Sequence, residues 1–183
     1  CSGIEEIHAG SVQILGKSPK IARIGWVGEF PDRTLLFSRV YDEIASTPRF
    51  RSRSCQETDK RVRTVAEEVG NSHLLNSKVS TLSGGEKALV ALAAASVDDP
   101  EVLILDEVDS HLDAVTASRI EHVVQKSAAT HVIWCTQSMD TAAGADYVIF
   151  MDEGVIRYHG TPDEVFAELV DTCFYPTMWR VCQ

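Results

Sequence analysis

The 183 residues carry few basic side chains, few cysteines and no long apolar run. Lys and Arg number 17 against 27 Asp and Glu, leaving a formal net charge of −10. That balance opposes non-specific attraction to phosphate backbones and disfavours nucleic acid as a partner. The five cysteines, Cys1, Cys55, Cys135, Cys173 and Cys182, form no C-x-x-C pair and no zinc-like spacing with histidine. Neither a disulfide framework nor a zinc site is expected, and a reducing compartment is favoured. The longest apolar stretches, such as 88–95 and 102–105, fall well short of the roughly 20 residues a membrane span needs, so any work at a membrane is peripheral. No signal-peptide pattern opens the chain, and Cys1 rather than methionine stands first, which predicts a fragment or a processed chain. There is no internal repeat and no low-complexity tract. The hydrophobic content of 44% fits one compact domain with a sizeable core.

Hydrophobic periodicity gives an outline. Short strands are expected at 12–15, closed by Gly16, and at 21–27, closed by Gly28. Residues 39–46 read as a helix of a turn or two, stopped by Pro48. Residues 57–69 read as an amphipathic helix with Val62, Val65, Ala66 and Val69 on one stripe and Gly70 as its stop. The helical period returns from Ser83 to about Val97, and Pro100 breaks it. Residues 102–105 form a continuous apolar strand of the kind parallel sheets bury on both faces, followed by a helix over 113–126. Buried-type strands are expected at 131–136, 147–151 and 155–158. Thr161, Pro162, Asp163 and Glu164 then start a last helix. Strands alternating with helices predict an α/β layer built on a parallel sheet.

Two patterns carry chemistry. Asp106 and Glu107 close the apolar strand, at the edge where open α/β sheets bind ligands. One carboxylate can hold Mg²⁺ while the other polarises a water for attack on a γ-phosphate. An acid pair of this kind also ends many strands for solubility alone. Ser83, Gly84 and Gly85 open a helix with a hydroxyl cap, an approachable backbone and N–H groups at a positive dipole end, which suits an anion. The same residues, with Glu86 in the first turn, also make an ordinary capped helix. No G-x-x-x-x-G-K-[ST] loop occurs to hold phosphates beside them.

Order and spacing decide between these readings. Leu82-Ser83-Gly84-Gly85-Glu86, then Leu103-Ile104-Leu105-Asp106-Glu107, then Ser110-His111-Leu112-Asp113, resembles the signature motif, Walker B strand and D-loop of ABC-type ATPases. Ile24 to Val27 and Val40 to Ala45 are similar to the Q-loop strand and first helical segment of energy-coupling-factor and related importer ATPases. Ala145 to Gly154 and Gly160 to Phe166 resemble the closing elements of transporter ATPases, so the likeness covers about residues 8–169. It implies a RecA-like core over 1–29 and 81–170, a helical subdomain over 30–80 with the signature helix starting at 83, and a tail over 171–183.

The resemblance also implies roles. Two such domains pack head to tail with ATP and Mg²⁺ between them. Ser83, Gly84, Gly85 and Glu86 then meet nucleotide held by a partner, with Asp113 in the D-loop beside it. Asp106 holds the metal in cis and Glu107 is the catalytic carboxylate. A transmembrane transporter subunit is the further partner, which puts the chain in the cytoplasm against the inner face of a membrane. Three departures stand out. The phosphate loop and the adenine-stacking aromatic are expected in roughly 40 to 50 residues before Cys1. Glu29 takes the Q-loop position, where a neutral ligand for Mg²⁺ is usual. Gln137 takes the switch position, where histidine is usual, and its amide cannot exchange a proton near neutral pH, which predicts weaker hydrolysis.

The six histidines, His8, His73, His111, His122, His131 and His159, all miss that switch position. His111 lies within the D-loop and reads as a solvated loop residue near the partner seam. Arg49, Arg51, Arg53, Lys60, Arg61 and Arg63 form a basic run that either faces an acidic coupling helix or is a solvated face. Two further readings stay open. One is a chromosome-maintenance or repair ATPase head, suggested by Glu86-Lys87-Ala88-Leu89 and Val108-Asp109. The other is a catalytically silent regulatory subunit, suggested by Gln137.

Overall fold

A computed structural model describes residues 9–180. The readings placed on Cys1, His8 and Cys182 lie outside the described residues. The chain divides into two compact units, Cys1–Cys135 and Thr136–Gln183.

The first unit is built on a parallel sheet of three strands in the order β1 (Ile24–Val27), β2 (Val102–Asp106), β3 (His131–Cys135). Val102 to Leu105 are buried, as a central strand between two helical layers requires. Behind the sheet runs α4 (Gly84–Ser96), whose residues Ala88 to Ala93 are all buried. A helix apolar on every side is one enclosed on every side. Ala88, Leu89, Ala91 and Leu92 pack into a cluster with Val27, Leu103, Leu105 and Ile120 from the sheet and from α5 (Ala114–Gln125). Val90, Ala93 and Val97 pack into a second cluster with α2 (Val40–Phe50) and α3 (Cys55–Glu68). Gly25 lets β1 lie against α4, since a Cβ there would run into the Ala95 carbonyl. The short α1 (Pro31–Thr34), absent from the sequence outline, crosses between β1 and α2.

Several expectations change. Residues 12–15 form no strand: Ile14 and Lys17 pair across a tight turn in which Leu15 (φ 49°) and Gly16 (φ 75°) are both left-handed. Such a turn reverses the chain at once. Pro48 does not stop α2, which continues to Phe50. Val40, Ile44 and Pro48 share one buried stripe, and packing of the proline ring outweighs its missing N–H. In α3 the stripe Val62, Val65, Ala66, Val69 is buried as read, and Gly70 ends it at φ 75°. β3 is an edge strand whose residues are mostly exposed, not a buried one.

The second unit holds its own antiparallel sheet, β4 (Val148–Asp152) with β5 (Val155–Gly160). These two strands do not extend the parallel sheet as strand alternation predicted. The turn at Glu153 and Gly154, both at positive φ, closes a hairpin. Around it pack α6 (Met139–Ala143), α7 (Pro162–Ala167) and α8 (Thr177–Arg180). The tail, unreadable in sequence, is a packing element. Tyr175 and Trp179 both meet Phe166 edge to face, and the Met178 amide donates to Asp140.

The five arginines of the basic run pair with carboxylates within the chain. Asp98, its side chain 4% exposed, receives Arg51 at 3.0 Å, Arg53 at 3.3 Å and Arg61 at 3.6 Å. Arg61 also reaches Asp99, Arg49 reaches Asp42 and Arg63 reaches Asp59. These arginines tie α2 and α3 to the turn between α4 and β2; they do not wait for an acidic partner. Asp98→Ala is expected to lower stability in urea by about 1–3 kcal/mol, since three guanidinium groups lose the carboxylate they share. Arg63→Ala, at an exposed pair, is expected to cost under about 0.5 kcal/mol in the same measurement.

Candidate functional site

Because β1 and β2 are parallel, with Val27 opposite Leu105, their carboxyl ends leave the sheet on one edge. Asp106 ends β2 and is exposed. Glu107 follows at φ 50°, a left-handed conformation that costs a non-glycine residue about 1–3 kcal/mol. Contacts from β3 and from Ser110 hold it there. Its amide donates to the Cys135 carbonyl at 2.9 Å, extending the β2–β3 ladder past Asp106. Ser110 Oγ donates to its carboxylate at 3.4 Å. Burial, then the charges of Asp106 and Glu107, push the Cys135 thiol up.

Glu29 lies two residues past the end of β1. His111 Nε2 sits 3.1 Å from Glu29 Oε1, and Phe30 stacks on the imidazole with centroids 5.3 Å apart. His111 is exposed in its loop, as the sequence suggested, and is engaged there by Glu29 and Phe30. Residues 29 and 111 are 82 positions apart, and nothing in either local sequence announces the pairing.

At the start of α4, Ser83 and Glu86 form a capping box. Ser83 Oγ accepts from the Glu86 amide at 3.3 Å, while Glu86 Oε2 accepts from the Ser83 amide and hydroxyl, each at 2.8 Å. The box satisfies two donors at once and fixes the helix entry. Ser83 and Gly84 are exposed on this entry, and Gly85 is half-buried. Asp113 caps α5, accepting from the Thr116 amide at 2.9 Å and the Thr116 hydroxyl at 3.0 Å. Contact between Gly85 and Thr116 joins the two helix starts, so the first unit brings the signature and the D-loop together. Thr116 was missed in sequence; its only trace there is its place three residues after Asp113.

Gln137 stands in the second unit and is exposed. Its neighbours shape the turn: the Ser138 amide donates to Thr136 Oγ1 at 3.0 Å, and Ser138 Oγ caps α6 through the Thr141 amide at 3.2 Å.

With this geometry the comparisons agree. A family model described as ABC transporter matches residues 2–110. The chain belongs to the ABC transporter family. It is 31% identical over 176 residues to the energy-coupling factor transporter ATP-binding protein EcfA1 of Latilactobacillus sakei, a match covering 91% of this chain and 63% of that protein. It is 37% identical over 137 residues to the trehalose/maltose import ATP-binding protein MalK of Thermococcus litoralis, covering 73% of this chain and 37% of that protein. Among solved structures, cbiO1 of Clostridium perfringens, described as part of the ABC transporter complex cbiONQ, superposes with a TM-score of 0.80. Identity to cbiO1 is 29%, over 91% of this chain and 72% of that one. The ABC transporter likeness thus reaches both units, and these relatives carry transporter names, which does not favour the chromosome-maintenance or silent-subunit readings.

The residues present suit the metal that this family implies. Asp106 and Glu107 offer hard carboxylate oxygens at an exposed strand end, the donor type Mg²⁺ takes when phosphate oxygens and water complete its shell. Among the described residues no three His, Cys, Asp or Glu side chains gather into a metal site.

The caps give a pH dependence. The Ser83 amide and hydroxyl hold the Glu86 carboxyl below its ordinary 4.5, and the Thr116 amide and hydroxyl hold Asp113 below 3.8. A depressed folded value means that the contribution is complete above the ordinary value and is lost as pH falls through the folded one. In urea unfolding from about pH 6 to about pH 3, Glu86→Gln is expected to be less stable at the upper end and to lose less below about 4.5 than the native chain.

Proposed function

We propose that this chain is the ATP-binding part of an ABC transporter subunit, working in a head-to-tail dimer and offering its signature to nucleotide held by the partner's phosphate loop. The observation that carries the reading is Glu107, held left-handed at the carboxyl end of β2 beside Asp106. Strain kept in place by a ladder bond and a serine hydroxyl fits a group that must meet a water molecule in one orientation.

On this reading Asp106 holds Mg²⁺, which when bound withdraws charge from the phosphate oxygens. Glu107 orients the attacking water and draws on its proton. In trans, the first-turn N–H groups of Gly84 and Gly85 donate to the γ-phosphate, joined by the Ser83 hydroxyl when its hydrogen turns away from Glu86. Glu86 keeps Ser83 in register through the capping box, and Asp113 fixes the D-loop at the seam. Gln137, in the second unit, carries an amide that can donate but cannot exchange a proton. Glu29 reaches the metal only when it leaves His111.

The membrane subunit is assigned to the groove of about 440 Å³ bordered by Trp26, Leu35, Leu36, Glu43, Arg51 and Asp98. Leu36 is 82% exposed and Trp26 45% at this face, while Arg51 is already paired, so recognition is mainly apolar. No helix among the described residues is long and apolar enough to cross a membrane. The chain works in the cytoplasm, peripheral to the membrane.

The full-length gene product is expected to turn over ATP with Mg²⁺, and Glu107→Gln to reduce kcat by about 10²-fold or more while ATP-dependent association persists. Turnover that survives this change would sink the assignment, as would stimulation by DNA. Leu36→Glu is expected to abolish co-purification of a membrane subunit without lowering the Tm; unchanged capture would remove the groove from the interface.

A further inference from the structure

The two glycines after Ser83 have different surroundings. A Cβ built on Gly84 meets nothing within 4 Å, and the residue is exposed. A Cβ built on Gly85 lies 2.8 Å from Thr116 Oγ1, 3.0 Å from its Cγ2 and 3.4 Å from its Cβ. Thr116 cannot yield easily. Its amide and hydroxyl donate to the two different carboxylate oxygens of Asp113, and a β-branched side chain in a helix has few rotamers to turn to. The first turn of α4 therefore lies as near to the first turn of α5 as Thr116 allows. The loop between β2 and α5 is also held at His111, which meets Glu29 and Phe30.

We propose that Thr116 is a positioning residue for the signature: Gly85 is glycine to admit Thr116, whereas Gly84 is glycine to leave the approach to a ligand open. Through this contact the start of α4 and the D-loop form one rigid piece. The D-loop is thereby held against the start of α4. The inference rests on the reading of the signature as a site used in trans, and it narrows which backbone positions do that work.

The test uses substitutions of size. Thr116→Ala removes Oγ1 and Cγ2 but keeps the amide that Asp113 caps. In this chain, Gly84→Ala is expected to leave the Tm unchanged or raised, since alanine favours an open helix position. Gly85→Ala is expected to lower the Tm by about 5 °C or more through overpacking. Thr116→Ala in the Gly85→Ala background is expected to restore most of that loss, and amide exchange in the first turn of α4 to follow the same pattern. An equal loss with and without Thr116→Ala would overturn the proposal. In the full-length protein, ATP-dependent association read by light scattering is expected to weaken about tenfold for Gly84→Ala whatever stands at 116. For Gly85→Ala, Thr116→Ala is expected to return it to within about threefold of native. If Gly85→Ala fails to associate in both backgrounds while the Tm is rescued, the ligand itself requires position 85 to lack a Cβ and the division between the glycines is wrong. If the native protein shows no ATP-dependent association, the trans reading falls, and the Tm comparison still decides the contact.

Discussion

Burial of α4 on both sides is the constraint on which the first unit depends. One face of this helix completes the cluster beneath the sheet and the other completes the cluster of α2 and α3. Its large side chains, Leu89, Val90 and Leu92, are each nearly or fully buried, and burying a side chain of that size contributes about 1.5–3 kcal/mol. A helix gripped in this way cannot rotate or slide without opening two cores. Its first turn is consequently a fixed object, and that first turn is the signature. The capping box at Ser83 and Glu86 refines the entry, but the packing behind it sets its position.

Much of this arrangement was legible because the relevant signals are local. The unbroken apolar run of β2, the stripe Val62, Val65, Ala66, Val69 and the Ser83 to Glu86 box each depend on neighbours a few positions apart. Three kinds of feature were not. Pro48 is an ordinary helix stop until the stripe of Val40 and Ile44 is known to be buried, when its ring becomes one more apolar contact. Residues 131–135 have the composition of a buried strand, yet exposure depends on which strands flank them, and composition does not state that. The Glu29–His111 pair and the Gly85–Thr116 contact join segments far apart in sequence, and the motif reading took Glu29, His111 and Gly85 without their partners and passed over Thr116.

Charge tells a similar story. A run of basic residues in a chain of net charge −10 invites the idea of an acidic partner. Here Arg51, Arg53 and Arg61 converge on Asp98, a carboxylate almost withdrawn from water. A buried carboxylate with fewer cations would carry a large desolvation cost, and three guanidinium groups offset it. Half of the six-residue run is thus gathered by Asp98, and the surface proposed for recognition is the apolar one around Trp26 and Leu36.

The strained Glu107 shows why so firm a scaffold accompanies the site. Its left-handed backbone costs about 1–3 kcal/mol, and a free strand end would relax it. Relaxation is blocked because the Glu107 amide is one rung of the ladder with β3, and because Val102 to Leu105, directly before it, are buried. Burial of those four side chains exceeds the strain severalfold at about 1.5–3 kcal/mol for each large one. Substitutions under β2 should therefore act on Glu107 before they unfold the chain, since the strain is the first thing a weakened strand releases. The signature has the complementary arrangement: Gly84 is unstrained and open, and its precision comes from α4 behind it and Thr116 beside it.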